Sequence, residues 1–546
     1  MAKKITYPVA LHDIAIMGKP SAWTRSWVIK PLSSGYYSLL VFPEGLVSMD
    51  TVFRNDFEAA AGEQAPYRYE FTVPEVYRGF KSWKWMAIKW NDSLDEGMLE
   101  SGELKKPALS ELLLNQRGSI SGNFELQLDN SKPKVVAWSC NQPFADGENG
   151  EAILNTHTEE IFEWYRKHVQ AYHPDNIWAL GDTAYSDGCS STNFIEAYYD
   201  NTPSLGSERG KLELARAYRR MYRAHWSFAP LQETMRNYPH ICVWDDHEIR
   251  DGWGSEANDF EKGNRAILEQ AQKVANEYIL NNGPRVRKPS NKTGTDSEPD
   301  AHQAYIDGQM AVFVFDGRSS RKYEDPTGKV ISEEQLGDFE SFCEEASRNK
   351  RVKFLIMGCA VPFINLKDFI EKAASKSPKP VTDLAAGIRD DVRDSWLSPG
   401  NVEQFKRLLN VLRKFHRQSP SVQIVNVSGD IHVANLFAFQ PMGFSRALYQ
   451  VTTSALTNRE HPSEMLNELV QVGTETFSEE LGLVTRIWPT ISDPNFLTIE
   501  PEGENLKLVL KVFDTELEEG APREMESLKD QTYFVGMHRH AFSHLV

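Results

Sequence analysis

The sequence predicts an α/β protein with a β-rich N-terminal part, and three observations predict it. Short runs of β-branched and aromatic residues, separated by turn residues, fill the first 130 or so positions. Beyond them, apolar strands alternate with stretches of helical spacing, the pattern of an α/β core. Four of those later strands then run abruptly into carboxylates, a thiol or imidazoles, as expected where active groups lie in loops at strand ends.

The N-terminal runs are "SWVIKPL", "YYSLLVF", "YRYEFTV" and "FELQLD", which read as a small sandwich-like domain over residues 1–130. "LDNSKPK" at 128–134 reads as the linker to a second domain, 131–546. That domain opens with the buried strand "KVVAWSC". "THTEEIFEWYRKHVQAYH" places Ile161, Trp164, Tyr165 and His168 near one helical face. The strand "NIWALGD" follows, then a long helical region from Gly210 to Asn237, then the strand "HICVWDD". Helices fit 262–281, 333–348 and 402–416. Strands fit "MAVFVFDGR", "VKFLIMGC", "VQIVNVSGD", "ALYQVTTSA" and, late in the chain, "LKLVLKVFD". Residues 282–302 are polar and Pro-containing and read as an exposed loop. The C-terminal extension carries His538, His540 and His544, with a solvated tail as the default expectation.

Composition narrows the function classes. The chain has 546 residues, 40% of them hydrophobic and 25% charged, ample material for large cores. Its formal charge of −17 disfavours nonspecific nucleic-acid binding, which needs basic patches. An anionic substrate remains compatible if a metal supplies local positive charge. The five cysteines are odd in number and scattered, a poor disulfide framework that fits a reducing compartment. "MAKKITYPVALHDIAIMGKP" offers no apolar signal core, and no apolar run is long enough to span a bilayer, so a cytoplasmic, membrane-free protein is expected. Oligomeric state has no signature here.

The chemistry concentrates at strand ends. "VWDDHEIRDGWG", 243–254, sets Asp245, Asp246, His247 and Glu248 side by side after an apolar run. Burying such like charges unpaired costs several kcal/mol each, so either water or a cation must neutralise them. "VVAWSC" delivers Cys140, "IWALGDTAY" Asp182 and Tyr185, and "QIVNVSGDIH" Asp430 and His432. Singly, each is an ordinary turn residue, buried cysteine or polar histidine. Jointly, strand ends of one α/β core converge, and the donor mixture suits two adjacent metals sharing a bridging carboxylate. Thiolate and phenolate suit iron or zinc, whereas carboxylates suit calcium, magnesium or manganese.

"SC" at 139–140, "GDTAY" at 181–185, "WDDHE" at 244–248 and "SGDIH" at 428–432 resemble the alkaline phosphatase D (PhoD-like) family in order and spacing. So do 217–253 and "DGRSSR", 316–321; the resemblance spans roughly 135–460. It implies a two-sheet α/β/β/α sandwich of the calcineurin-like metallophosphatase type, an N-terminal β domain and a binuclear metal centre. By motif, Cys140, Asp182, Tyr185 and Asp430 would hold the first metal, iron in the family, with Asp182 bridging. Asp246 and His432 would hold the second, calcium, with zinc or manganese as substitutes. His247 would contact the phosphate or protonate the leaving oxygen. Arg318 is a candidate phosphate clamp or, equally, a structural partner of Asp316. The reaction implied is hydrolysis of a phosphate ester by a metal-bound hydroxide, tilted toward phosphodiesters over monoesters. The alternative is a noncatalytic metal-binding or scaffold protein that keeps the fold. Open at this point are whether Asp245 or Asp246 is the ligand, whether Asp251 and Arg250 join the site, whether Cys359 is a soft ligand or a core thiol, and whether Trp396 lines a pocket or a core.

Overall fold

A computed structural model describes residues 6–45, 49–90, 107–114, 119–126, 132–200, 205–287, 300–324, 327–364, 393–457, 474–478, 481–516 and 529–536. The C-terminal histidines and most of the 282–302 loop lie outside them. From the N terminus come β1 (Ile14–Ser21), β2 (Thr24–Lys30), β3 (Gly35–Pro43), β4 (Phe53–Ala59), β5 (Tyr67–Thr72), β6 (Ser82–Lys89), α1 (Leu109–Leu114) and β7 (Ile120–Glu125). Then follow β8 (Val135–Trp138), β9 (Phe144–Asp146), β10 (Ala152–Leu154), α2 (Thr158–Tyr172), β11 (Asn176–Leu180), α3 (Glu208–Trp226), α4 (Ala229–Asn237), β12 (His240–Val243) and α5 (Lys262–Tyr278). The second half contributes β13 (Gln303–Asp307), β14 (Met310–Val314), α6 (Glu333–Arg348), β15 (Phe354–Cys359), α7 (Val402–Gln418), β16 (Gln423–Ser428), β17 (Ala434–Pro441) and β18 (Leu448–Thr452). Last are β19 (Thr474–Ser478), β20 (Gly482–Ile491), β21 (Asn495–Glu502), β22 (Asn505–Val512) and β23 (Gln531–Val535).

Local sequence explains the helices. In α7, Phe405, Leu408, Leu409, Leu412 and Phe415 recur at helical spacing and form its buried face. Ser207 caps α3 by accepting from the Gly210 amide, and Ser332 caps α6 by accepting from Gln335. The expected single helical region from Gly210 to Asn237 is two helices. Pro230 sits in the first turn of α4, where its missing N–H costs nothing, and it cannot continue α3.

Two sheets face each other. One has nine strands, in the order β23-β22-β21-β8-β11-β12-β1-β2-β5, and the other eight, β13-β14-β15-β16-β18-β17-β20-β19. Between them lies an apolar layer in which Val135, Trp178 and Val243 of the first meet Val312, Ile356 and Val427 of the second. Helices α2–α5 cover the outer face of the nine-stranded sheet, and α6 and α7 that of the other. This is the α/β/β/α sandwich expected from the sequence. Within it β8, β11 and β12 run parallel, as do β14, β15, β16 and β18, so their C-terminal ends gather on one side.

The N-terminal β-rich region splits between sheets. β1, β2 and β5 extend the nine-stranded sheet, with β1 running parallel to β12 at Gly18 and His240. β4-β3-β6-β7 form a separate four-stranded sheet. Alternate residues of β1 and β2 serve both sides: Ile14, Ile16 and Val28 join the helical core, while Ala15, Met17, Trp27 and Ile29 pack on the four-stranded sheet. Among the described residues, no helix is long and apolar enough to cross a membrane.

Candidate metal centre

The gathered strand ends bring the sequence-predicted residues together. Cys140 follows β8, Asp182 follows β11, Asp245 and Asp246 follow β12, and Asp430 follows β16. Close stitching sets the turns: Asn141 N donates to Asp182 O at 2.8 Å, and Gly429 N to Ala360 O at 2.8 Å. Gly181 turns at φ +89°, and a Cβ there would lie 2.7 Å from Asp245 Cβ, so only glycine fits. Cys140, Asp182, Asp430 and His432 all have left-handed backbones, with φ of 56°, 52°, 72° and 51°. Such conformations cost about 1 kcal/mol or more each and cluster at functional sites.

Three ligand groups result, each with donor atoms within 4.8 Å of one another: Cys140, Asp182 and His432; Asp182, Asp246 and His247; and Asp182, Asp245, Asp246 and Asp430. Asp182 belongs to all three. Tyr185 joins the first, with its hydroxyl 3.4 Å from Asp182 Oδ2 and 3.2 Å from His432 Nε2. The two groups expected from the last motif thus fall the other way round: the His432 ring lies with Cys140, and the Asp430 carboxylate with Asp245 and Asp246. From Asp430, Cys140 Sγ meets the carbonyl oxygen, at 3.3 Å. Asp430 and His432, both left-handed, thus enter different ligand groups.

Asp182 Oδ1, Asp245 Oδ2 and Asp246 Oδ1 are buried and accept no hydrogen bond. Buried carboxylate oxygens without a donor, in residues whose ligand atoms lie within 4.8 Å of one another, fit cations between them. Without such charge the cluster resists ionisation. Burial, and then neighbouring carboxylates, push Asp430 well above the usual carboxylate range, and burial with Asp246 and Asp245 does the same to Asp182 despite His247. Burial followed by Asp182 likewise raises the Cys140 thiol. At His247, burial opposes protonation, but Asp246, Asp187 and Asp182 outweigh it and raise the imidazole well above its ordinary value.

Several supporting groups had a faint sequence signal or none. Glu248 is buried and accepts from Asp182 N at 3.0 Å, Asp245 N at 2.8 Å, and Thr183 N and Oγ1 at 2.6 and 2.8 Å. Asp187 accepts from His247 Nδ1 at 2.7 Å; it lies two residues after Tyr185, close enough to its motif to have been noticed. His225 Nδ1 donates to Met221 O, so its Nε2 accepts from Tyr185 N at 3.1 Å. Ser454 Oγ lies 3.1 Å from Cys140 Sγ.

Arg318 is wholly buried and faces inward, paired with Asp245, with Asp246 at 3.3 Å and with Asp394 at 2.6 Å. Three carboxylates thus surround the guanidinium that the sequence offered as a phosphate clamp or, equally, as a structural partner of Asp316. Asp316, the partner also considered, accepts only its backbone N–H. Arg250 pairs with Asp259 and stacks over Tyr199. Asp251 is largely exposed, 4.0 Å from His247 Nε2. Cys359 and Trp396 are core residues beside Phe363 and Phe405, and no ligand group among the described residues includes Cys359. The centre opens to solvent at His247, Asp430 and His432, which are half-buried.

The family model described as PhoD-like phosphatase matches residues 138–481, more than half of the chain. Among solved structures, one titled "Structure of PhoD" is similar at 12% identity and a TM-score of 0.55, covering 93% of this chain and 87% of that one. A dimetal phosphatase from Danio rerio is similar at 10% identity and a TM-score of 0.34, covering 73% and 98%. No curated protein matches by sequence. At such identity the PhoD structure speaks for the fold alone; the family match, with the ligand groups at the converging strand ends, speaks for the chemistry, and the chain belongs to the PhoD-like phosphatases, metal-dependent hydrolases of phosphate esters.

Proposed function

We propose that the chain hydrolyses phosphate esters, phosphodiesters ahead of monoesters, at a binuclear centre bridged by Asp182. The observation that carries this is the sharing of Asp182 between a Cys-His-Tyr side and an all-carboxylate side, with Asp182 Oδ1, Asp245 Oδ2 and Asp246 Oδ1 buried and accepting no hydrogen bond. The thiol, phenol and imidazole side suits iron, and the oxygen side suits calcium, with zinc or manganese as substitutes. Bound cations would supply Lewis-acid charge and activate a water as nucleophile.

The chain's own residues supply the rest. Cys140, Tyr185 and His432 would hold one cation; Asp246 and Asp430 would hold the other. Asp187 fixes His247 through Nδ1, so Nε2 carries the proton offered to the leaving oxygen or the phosphoryl group. Glu248 and His225 hold the backbones of Asp182 and Tyr185 in place. The preference for diesters rests on the family resemblance.

The test is elemental analysis of purified protein, with bis-p-nitrophenyl and mono-p-nitrophenyl phosphate assayed side by side. Asp182→Asn is expected to lose both metal and turnover, and His247→Ala to keep metal and lose rate. Protein without metal that turns over neither ester after reconstitution would overturn the proposal in favour of a noncatalytic scaffold.

A further inference from the structure

Arg318 raises a problem that its surroundings answer. Its Nη2 lies 3.3 Å from Asp246 Oδ1, one of the buried oxygens that accepts no hydrogen bond. A guanidinium that close competes directly with a cation for that oxygen. The arginine cannot simply be absent, because its Nε pairs with the buried Asp245, whose charge would otherwise stand uncompensated.

Asp394 lies on the other side of the guanidinium. It is 3% exposed, sits just before α7, and belongs to none of the ligand groups. Its Oδ2 lies 2.6 Å from Arg318 Nη2, closer than Asp246 Oδ1, as an ion pair rather than an aligned hydrogen bond. Its Oδ1 is fixed by Arg321 Nε at 3.0 Å and by Ser255 Oγ at 2.7 Å. Arg321, itself buried, also donates to the Asp394 carbonyl. Arg318 Nη1 is anchored separately on Trp253 O at 3.0 Å. Carboxylate and guanidinium thus alternate from Asp246 through Arg318 and Asp394 to Arg321, and Asp394 is pinned from three sides.

We propose that Asp394 is a positioning residue that draws Arg318 Nη2 away from Asp246 and so keeps Asp246 Oδ1 available to a cation. This rests on the binuclear reading above. Asp394→Asn keeps the shape but removes the charge that attracts Nη2; the guanidinium then closes on Asp246, and the cation on the carboxylate side is held less tightly. Outer groups of this kind change metal affinity by roughly tenfold or more.

The experiment titrates calcium and manganese into metal-depleted wild-type and Asp394→Asn protein by calorimetry, with elemental analysis after dialysis and circular dichroism as a check on folding. Asp394→Asn is expected to need about tenfold more metal for half-saturation, and to recover its turnover when metal is in excess. Arg318→Lys, which keeps a charge beside Asp245 but lacks Nη2, is expected to bind metal at least as tightly as wild type, and it serves as the test if Asp394→Asn fails to fold. Wild-type protein that binds no metal overturns the binuclear reading itself. Wild-type protein that binds metal, with Asp394→Asn binding equally well or losing turnover that excess metal does not restore, overturns the role of Asp394 alone; so does Arg318→Lys protein that binds metal more weakly.

Discussion

Glu248 accepts four donors through two oxygens, and those donors come from the loops after β11 and β12. It therefore ties Asp182 to Asp245 through their backbones, without touching either carboxylate. Burial is the largest influence on it and raises it to about 7, against the pull of the donors, so the site holds this group at a cost. Glu248→Gln leaves one accepting oxygen and turns an NH2 toward N–H groups that need an acceptor. A loss of about 2 kcal/mol in urea unfolding is expected, with a lowered metal content by elemental analysis; unchanged values would remove Glu248 from the support of the site. At this scale the sequence was legible where ligands and strand lie within a few positions, as in "GDTAY" and "SGDIH". It was silent where the partner is distant. Nothing near Asp394 announces an arginine 76 positions earlier, and no local pattern shows that Asp430 and His432 enter different ligand groups.

Strand ends deliver the ligands only if the turns after them can approach one another. Gly181 is the tightest of these, with φ +89° and a would-be Cβ 2.7 Å from Asp245 Cβ and 2.9 Å from Ala360 Cβ. Gly181→Ala combines left-handed strain with a clash against two fixed backbones, and is expected to cost about 2 kcal/mol or more in chemical denaturation and to weaken metal binding. β12 adds a pH dependence of its own. Burial lowers His240 from 6.5 to about 4, with Nδ1 donating to Tyr238 O. The unfolded chain binds this proton below pH 6.5 and the folded chain does not, so stability is fully present above that pH and falls as the pH drops toward 4. The loss reaches about 3 kcal/mol at pH 4. His240→Asn retains a donor for the carbonyl, and its unfolding free energy is expected to fall less between pH 7 and 4 by that amount; parallel curves would show that His240 is not the group responsible. Periodicity placed these strands and most helices correctly, since each element buries one continuous face. It merged α3 with α4 because the break at Ser227–Phe228 keeps the apolar spacing, and only Pro230 marks it.

The whole molecule is held across the point where its β-rich beginning meets the α/β core. β1 runs beside β12, so the first strand and a strand more than 200 residues later share one sheet. Ala15 N donates to Gln232 Oε1 at 2.9 Å, and Trp85 Nε1 to Arg236 O at 3.1 Å, both onto α4. Farther along, Arg223 and Arg219 of α3 donate to Gly62 O and Glu63 O at 3.2 and 3.3 Å. The strand-rich composition of residues 1–130 was legible, but its pairing partners were not, because register between strands so far apart leaves no periodic trace. These contacts bear on how the chain divides. A chain beginning at residue 131 would expose the β12 edge and the apolar residues of α4 that β1 covers, an open edge that templates aggregation. Deletion of residues 1–130 is therefore expected to give protein that is insoluble or lacks a cooperative melt, and that fails to retain metal, in size-exclusion, calorimetric and elemental measurements. A monodisperse fragment of residues 131–546 with the full-length melting temperature and metal content would show instead that β12 and α4 close without β1, and that the shared sheet is a docked contact between two independently stable halves.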